Sequence, residues 1–139
     1  ILISVGILQT QMSLSYEVRQ SFSSEFSTLV PGRPPPTKDV VPVQNVTNEA
    51  ISRMLHICVE FDVTYNSEQQ PVQFYLWLID DSLHNHKVAE IVDSGELYCM
   101  LSLDKSVSVN HAYSLWIWAE SPFNISGTYY GTVIQDAKK

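Results

Sequence analysis

The feature that most narrows the fold is a two-residue alternation of apolar and polar side chains, recurring in short runs. Met12, Leu14, Tyr16 and Val18 alternate with Ser13, Ser15, Glu17 and Arg19. Leu55, Ile57, Val59, Phe61 and Val63 alternate with His56, Cys58, Glu60 and Asp62, and residues 112–120 (AYSLWIWAE) repeat the pattern. Side chains two apart share one face of an extended chain, so each run reads as a strand with one buried face. Residues 72–79 (VQFYLWLI) are almost wholly apolar, as in a strand covered on both faces. The stretches VTYNSEQQP, DDSLHNH, DSG and SPFNISG supply turn residues between the runs, and no long helical period appears after residue 30. Phe22, Phe26 and Leu29, spaced by four and three, fit a short helix or an irregular cover. Short strands separated by turns about every 8 to 12 residues predict an all-β antiparallel sandwich.

Residues 31–42 (PGRPPPTKDVVP) hold five of the seven prolines, which lack a ladder donor and suit a linker or an edge. The expected organisation is therefore an N-terminal extension over 1–41 and a sandwich over 42–139. With 139 residues, 45% hydrophobic and 17% charged, the chain has room for one packed domain and is too apolar for a disordered tail. Fifteen acidic against eight basic residues give a net charge of −7, which argues against nucleic acid or anionic lipid as the main partner.

Residues 1–8 (ILISVGIL) are too short to cross a bilayer, which takes about 20 apolar residues. They read as the end of a signal or truncated span, or as a buried strand. A chain opening on Ile1 is expected to be a processed or excised piece, with any membrane anchor outside it. Asn45-Val46-Thr47 and Asn124-Ile125-Ser126 are acceptors for N-linked glycans beside turn residues, favouring a secretory route and an extracellular or luminal setting. Cys58 and Cys99 permit one disulfide, and neither belongs to a C-x-x-C pair.

From about Pro42 to Asp136 the order of features resembles a fibronectin type III domain. A proline-led segment (PVQNVTNEAI) opens it, Val72 and Tyr75 match the third strand, and Val107, Val109, His111 and Tyr113 match its tyrosine-corner pattern. Phe61 stands where that family usually has Trp, and the corner's Leu and Pro are both Val. A polycystic-kidney-disease (PKD) type sandwich, suggested by Trp77 with Asp80-Asp81 behind it, ranks second. The resemblance implies an immunoglobulin-like sandwich acting as a spacer or binding module. It also implies adjacent strands for Cys58 and Cys99, although alternation puts the two on different sides. A bulge would be needed to bond them; otherwise one thiol is buried and one exposed.

Alternation then assigns faces. Tyr113, Leu115, Ile117 and Ala119 point inward, with Ser114, Trp116, Trp118 and Glu120 outward. In the third strand Tyr75, Trp77 and Ile79 are expected inside, and Phe74, Leu76 and Leu78 outside. The resulting outer face of Phe74, Leu76, Leu78, Trp116 and Trp118 is the expected binding surface for a protein partner, unless residues 1–30 form a layer over it. Asp80, Asp81, His84 and His86 are weak metal candidates, outweighed by a solvated polar turn. His56 reads as a surface histidine, and Glu60 with Asp62 as solubilising charges. No nucleophile elbow, zinc helix motif or glycine-rich phosphate loop occurs. The expected role is a non-catalytic interaction, adhesion or receptor module without a cofactor. The alternative is a structural subunit or luminal domain of a membrane-protein assembly, its apolar patch permanently buried.

Overall fold

A computed structural model describes residues 15–27, 38–46 and 50–138. Eight strands are described: β1 (Ser15–Ser27), β2 (Asp39–Pro42), β3 (Ser52–Asn66), β4 (Val72–Asp80), β5 (His86–Gly95), β6 (Tyr98–Val107), β7 (Tyr113–Glu120) and β8 (Ile125–Lys138). They form two antiparallel four-stranded sheets, ordered β1-β8-β3-β6 and β2-β7-β4-β5. The protein is an all-β sandwich, as the alternation predicts.

The pairing obeys one rule. The chain lies antiparallel to itself as a nested hairpin, with β1 beside β8, β2 beside β7, β3 beside β6 and β4 beside β5. The ribbon is then rolled so that β8 also meets β3 and β7 also meets β4. This is the eight-strand, double Greek-key path of a jelly roll. It differs from the immunoglobulin-like arrangement, in which the last strand runs beside its predecessor. Here β8 crosses to the opposite sheet, and β2 takes the place beside β7. Two strands therefore come from residues 1–41, where the sequence predicts an extension, and Val41 and Pro42 on either side of the expected boundary both lie in β2. Phe22 and Phe26 lie in β1, a strand and not a helix, and their rings pack into the sandwich. The run 1–8 lies outside the described residues.

The core is aromatic where the sheets meet. Phe61 of β3 and Phe74 of β4 have ring centroids 4.5 Å apart, and Phe26 packs edge-on against both at 5.5 and 6.0 Å. Tyr129 closes the cluster 5.7 Å from Phe61 and donates its hydroxyl to Asp39 of the opposite sheet at 2.7 Å. Gln20 ties β1 to the β2 end: its Nε2 donates to the Pro42 carbonyl, and its Oε1 accepts from the Gln44 amide. Two backbone approaches need glycine. A Cβ on Gly131 would stand 2.2 Å from the Phe22 ring, and one on Gly127 would stand 2.0 Å from the Asp62 carbonyl oxygen.

One pole of the sandwich is plugged by a charge. The Arg53 side chain is fully buried. Its Nε donates to Gln135 Oε1 at 2.8 Å, and its terminal nitrogens donate to the carbonyls of Gln44, Ser108 and His111. The guanidinium also lies over the Tyr113 ring. Tyr113 Oη accepts the Ser108 amide five residues upstream at 2.9 Å.

The cysteines form no disulfide; both are free thiols. In the β3–β6 ladder Cys58 lies opposite Ser102, and Cys99 lies opposite Phe61. An offset of three residues is about 10 Å along a strand, beyond the reach of a disulfide. Cys99 is also buried while Cys58 is partly exposed.

Two outcomes follow from this packing. Arg53→Ala strands several buried carbonyls and is expected to cost about 3 kcal/mol, read as a lower urea midpoint at unchanged slope. Burial, with Asp93 nearby, pushes the Cys99 thiol up to about 11, so native protein is expected to react with a thiol reagent at Cys58 alone and at both cysteines only after unfolding. Native labelling of Cys99 would contradict the packing.

Candidate functional site

The outer face of the β2-β7-β4-β5 sheet carries an aromatic surface, as the sequence anticipates, but only two of its five expected members lie on it. Trp116 and Trp118 of β7 stand outward and only partly buried, as expected. Phe74, Leu76 and Leu78, expected beside them, are fully buried in the core. Tyr75 and Trp77 take their places outside, so β4 is turned over relative to the expected phase. Phe74 must face inward to meet Phe61, and because both faces of β4 are apolar, alternation gave that strand no phase.

The rings are locked by cross-strand register. Tyr75 pairs with Trp118 and Trp77 with Trp116. Tyr75 and Trp118 stack in parallel at 4.7 Å between centroids, Trp77 and Trp116 stack at 6.1 Å, and Trp77 meets Trp118 edge-on at 4.9 Å. Two cations cap the group: Lys38 Nζ sits 4.2 Å from the Trp116 centroid and Lys87 Nζ 4.5 Å from that of Trp77. Lys87 also pairs with Glu90 at 3.0 Å, and Trp118 Nε1 donates to Glu120. Trp77 Nε1 is buried with no acceptor among the described residues. At the flanks, Val40 of β2 and Val92 of β5 are 54% and 45% exposed, so the apolar surface runs from edge to edge of the sheet. Residues 15–27 do not cover it, since β1 joins the edge of the other sheet.

The polar candidates are dispersed. Asp80 is buried and accepts the Ser82 amide and His111 Nδ1, latching the turn after β4 to the turn before β7. Asp81 accepts the Ser114 hydroxyl, and His84 ends the Asp81–Leu83 turn in a left-handed conformation. His86 opens β5. Among the described residues no three His, Cys, Asp or Glu side chains are grouped to hold a metal ion. Asn45 and Asn124 are both exposed outside the strands. A shallow hollow of about 540 Å3 lies on the other sheet beside Phe26, Thr64 and Thr128.

Sequence reasoning missed one polar cluster. His56, read as a surface histidine, bridges three strands: Nδ1 lies 2.8 Å from Asp104 of β6, and Nε2 lies 2.8 Å from Asp136 of β8. Both nitrogens face carboxylates, an arrangement that suits the imidazolium. These contacts, the Asp104 hydrogen bond first, raise the His56 pKa above its ordinary 6.5. The partners lie 48 and 80 positions away in sequence, so only the strand order could have shown them.

No family model matches the chain, and no curated protein matches it. Among solved structures it is similar to the decameric BFDV capsid protein, at 10% identity over 90% of this chain and 99% of that one, with a TM-score of 0.45. It is also similar to a pilus protein of Bacillus endospore appendages, at 9% identity over 86% and 88% with a TM-score of 0.44. For the Burkholderia pseudomallei antigen and type I fimbria protein the values are 14%, 89%, 100% and 0.31.

The His56 bridge sets a pH dependence. Because the folded pKa is raised, its contribution is complete below about pH 6.5 and is lost as pH rises through the raised value. The group is substantially exposed, so solvent screening limits the effect to about 1 kcal/mol or less. Urea titrations across this range are expected to show the wild type losing that increment, while His56→Gln stays flat.

Proposed function

We propose that the domain is a non-catalytic structural or interaction module that docks through the outer face of the β2-β7-β4-β5 sheet. The observation that supports this reading is the layer of Tyr75, Trp77, Trp116 and Trp118, four large aromatic residues placed outside a core that is already filled by Phe26, Phe61, Phe74 and Tyr129. Trp and Tyr side chains dominate interface energetics because they bury much area with few rotatable bonds. Here stacking and the two lysines hold them in one arrangement before any partner arrives, lowering the ordering cost of binding.

The double substitution Trp116→Ser/Trp118→Ser tests whether this layer is a surface or part of the core. A docking layer is expected to leave one cooperative unfolding transition, with a melting temperature lowered by about 10 °C or less. Loss of cooperative folding would make the aromatic layer a second core and overturn the reading.

A further inference from the structure

A polar hollow stands apart from the aromatic face, on the outer side of the β1-β8-β3-β6 sheet. Two adjoining depressions of about 540 and 320 Å3 share Glu25 of β1 and Thr128 of β8 in their linings. The registers put Glu25 beside Thr128, Thr128 beside Asp62 of β3, and Asp62 beside Tyr98 of β6. One row of side chains thus crosses all four strands, a span of about 14 Å at the ordinary strand spacing. Ser23, Ser27 and Ser126 add hydroxyls to the lining. Tyr130, next along β8 on the same face, is 51% exposed and lines the smaller depression.

The carboxylates here are uncommitted. Glu17 pairs with Arg19, Asp104 and Asp136 with His56, and Glu90 with Lys87. Glu25 and Asp62 have no ion-pair partner among the described residues. The cations of this face, Arg19 and Lys138, sit toward the other end of the β1–β8 ladder, about 20 Å or more away. An anionic ligand, whether phosphate, sulfate or acidic sugar, is therefore repelled. Among the described residues no three His, Cys, Asp or Glu side chains are grouped to hold a metal ion. Glu25 and Asp62 stand on either side of β8, about 10 Å apart at the backbone, so each meets a different group of a ligand. The lining calls for an uncharged molecule with donors spread over that distance. It must carry hydroxyls that both give and accept, and a C–H face to lie on a ring.

We propose that this hollow binds a short neutral oligosaccharide. Its hydroxyls donate to the Glu25 and Asp62 carboxylates and bond the hydroxyls of Thr128 and Ser126, while a pyranose C–H face rests on Tyr130. The site is on the other sheet from the aromatic docking face and stands or falls independently of it.

The test is an amide NMR titration of the full chain with maltotriose, cellotriose, mannotriose and chitotriose, each to about 10 mM, which detects a millimolar site. At least one of the four is expected to shift amides of residues 23–27, 60–62 and 126–130 and to leave those of β4 and β7 in place. Asp62→Asn and Glu25→Gln are each expected to weaken that binding about tenfold, since each removes a charged acceptor. Tyr130→Ala is expected to weaken it similarly through the lost ring face. Ser102→Ala, opposite Cys58 on the same sheet, is expected to leave it unchanged. Glu25 and Asp62 are exposed and their amides keep the same size, so an unchanged melting transition verifies both folds. Raising salt from about 50 to 500 mM is expected to change the affinity by less than about twofold, because the ligand is uncharged. No shift with any of the four sugars overturns the proposal, as do shifts that Asp62→Asn and Glu25→Gln leave untouched. Binding of tetralysine alone, lost at the higher salt, also overturns it and makes the hollow a site for basic peptides.

Discussion

The β8 ladder is the constraint on which the rest of the structure depends. By lying between β1 and β3, β8 completes one sheet and leaves the β7 edge of the other free for β2. Three consequences follow from that single placement. Tyr129 arrives beside Phe61 and can reach across to Asp39. Gln135 arrives beside Arg53, giving the buried guanidinium a side-chain acceptor. Asp136 arrives beside His56, completing the bridge over three strands. Core, pole and outer surface are thus tied to the same pairing, with Gly127 and Gly131 allowing the close approach along it.

What was legible in the sequence is what alternation can carry. In β7 the inward set Tyr113, Leu115, Ile117 and Ala119 is buried as read, whereas Ser114, expected outward, is also buried and donates its hydroxyl to Asp81. β3 follows the same logic, and Phe61 reaches the centre of the core. β4 carried no mark of its phase. With both of its faces apolar, its phase was set by which side could meet Phe61, a tertiary fact that no local pattern contains. The aromatic surface was therefore anticipated on the correct sheet, with the correct tryptophans and the wrong residues of β4.

The strand order was illegible for a different reason. Local turns predict that neighbours in sequence are neighbours in space, and a rolled hairpin breaks that rule at its open end. β1 and β2 sit on either side of the proline-rich stretch, which made them look detached, yet their partners are β8 and β7, the last two described strands. The same blindness hid the ion cluster at His56 and the plug at Arg53, whose partners lie on strands or turns remote in sequence. A lone arginine in an alternating strand gives no local sign that it will be sealed from water.

The nesting of the hairpin carries a consequence for how the molecule comes into being. Ser15 pairs with Lys138 at one end of the β1–β8 ladder and Ser27 with Ser126 at the other, so the first described strand must wait for the last. During synthesis β3 to β7 can assemble while β1 has nothing to pair with and Arg53 lacks Gln135. The loop closed by that final ladder spans nearly the whole chain, and its entropy is met only when the sandwich is otherwise complete. The β1-β8-β3-β6 sheet therefore stays incomplete until β8 has been made. Until β8 pairs, the molecule offers the open flank of β3 as its most exposed edge, and that is the state most open to wrong partners.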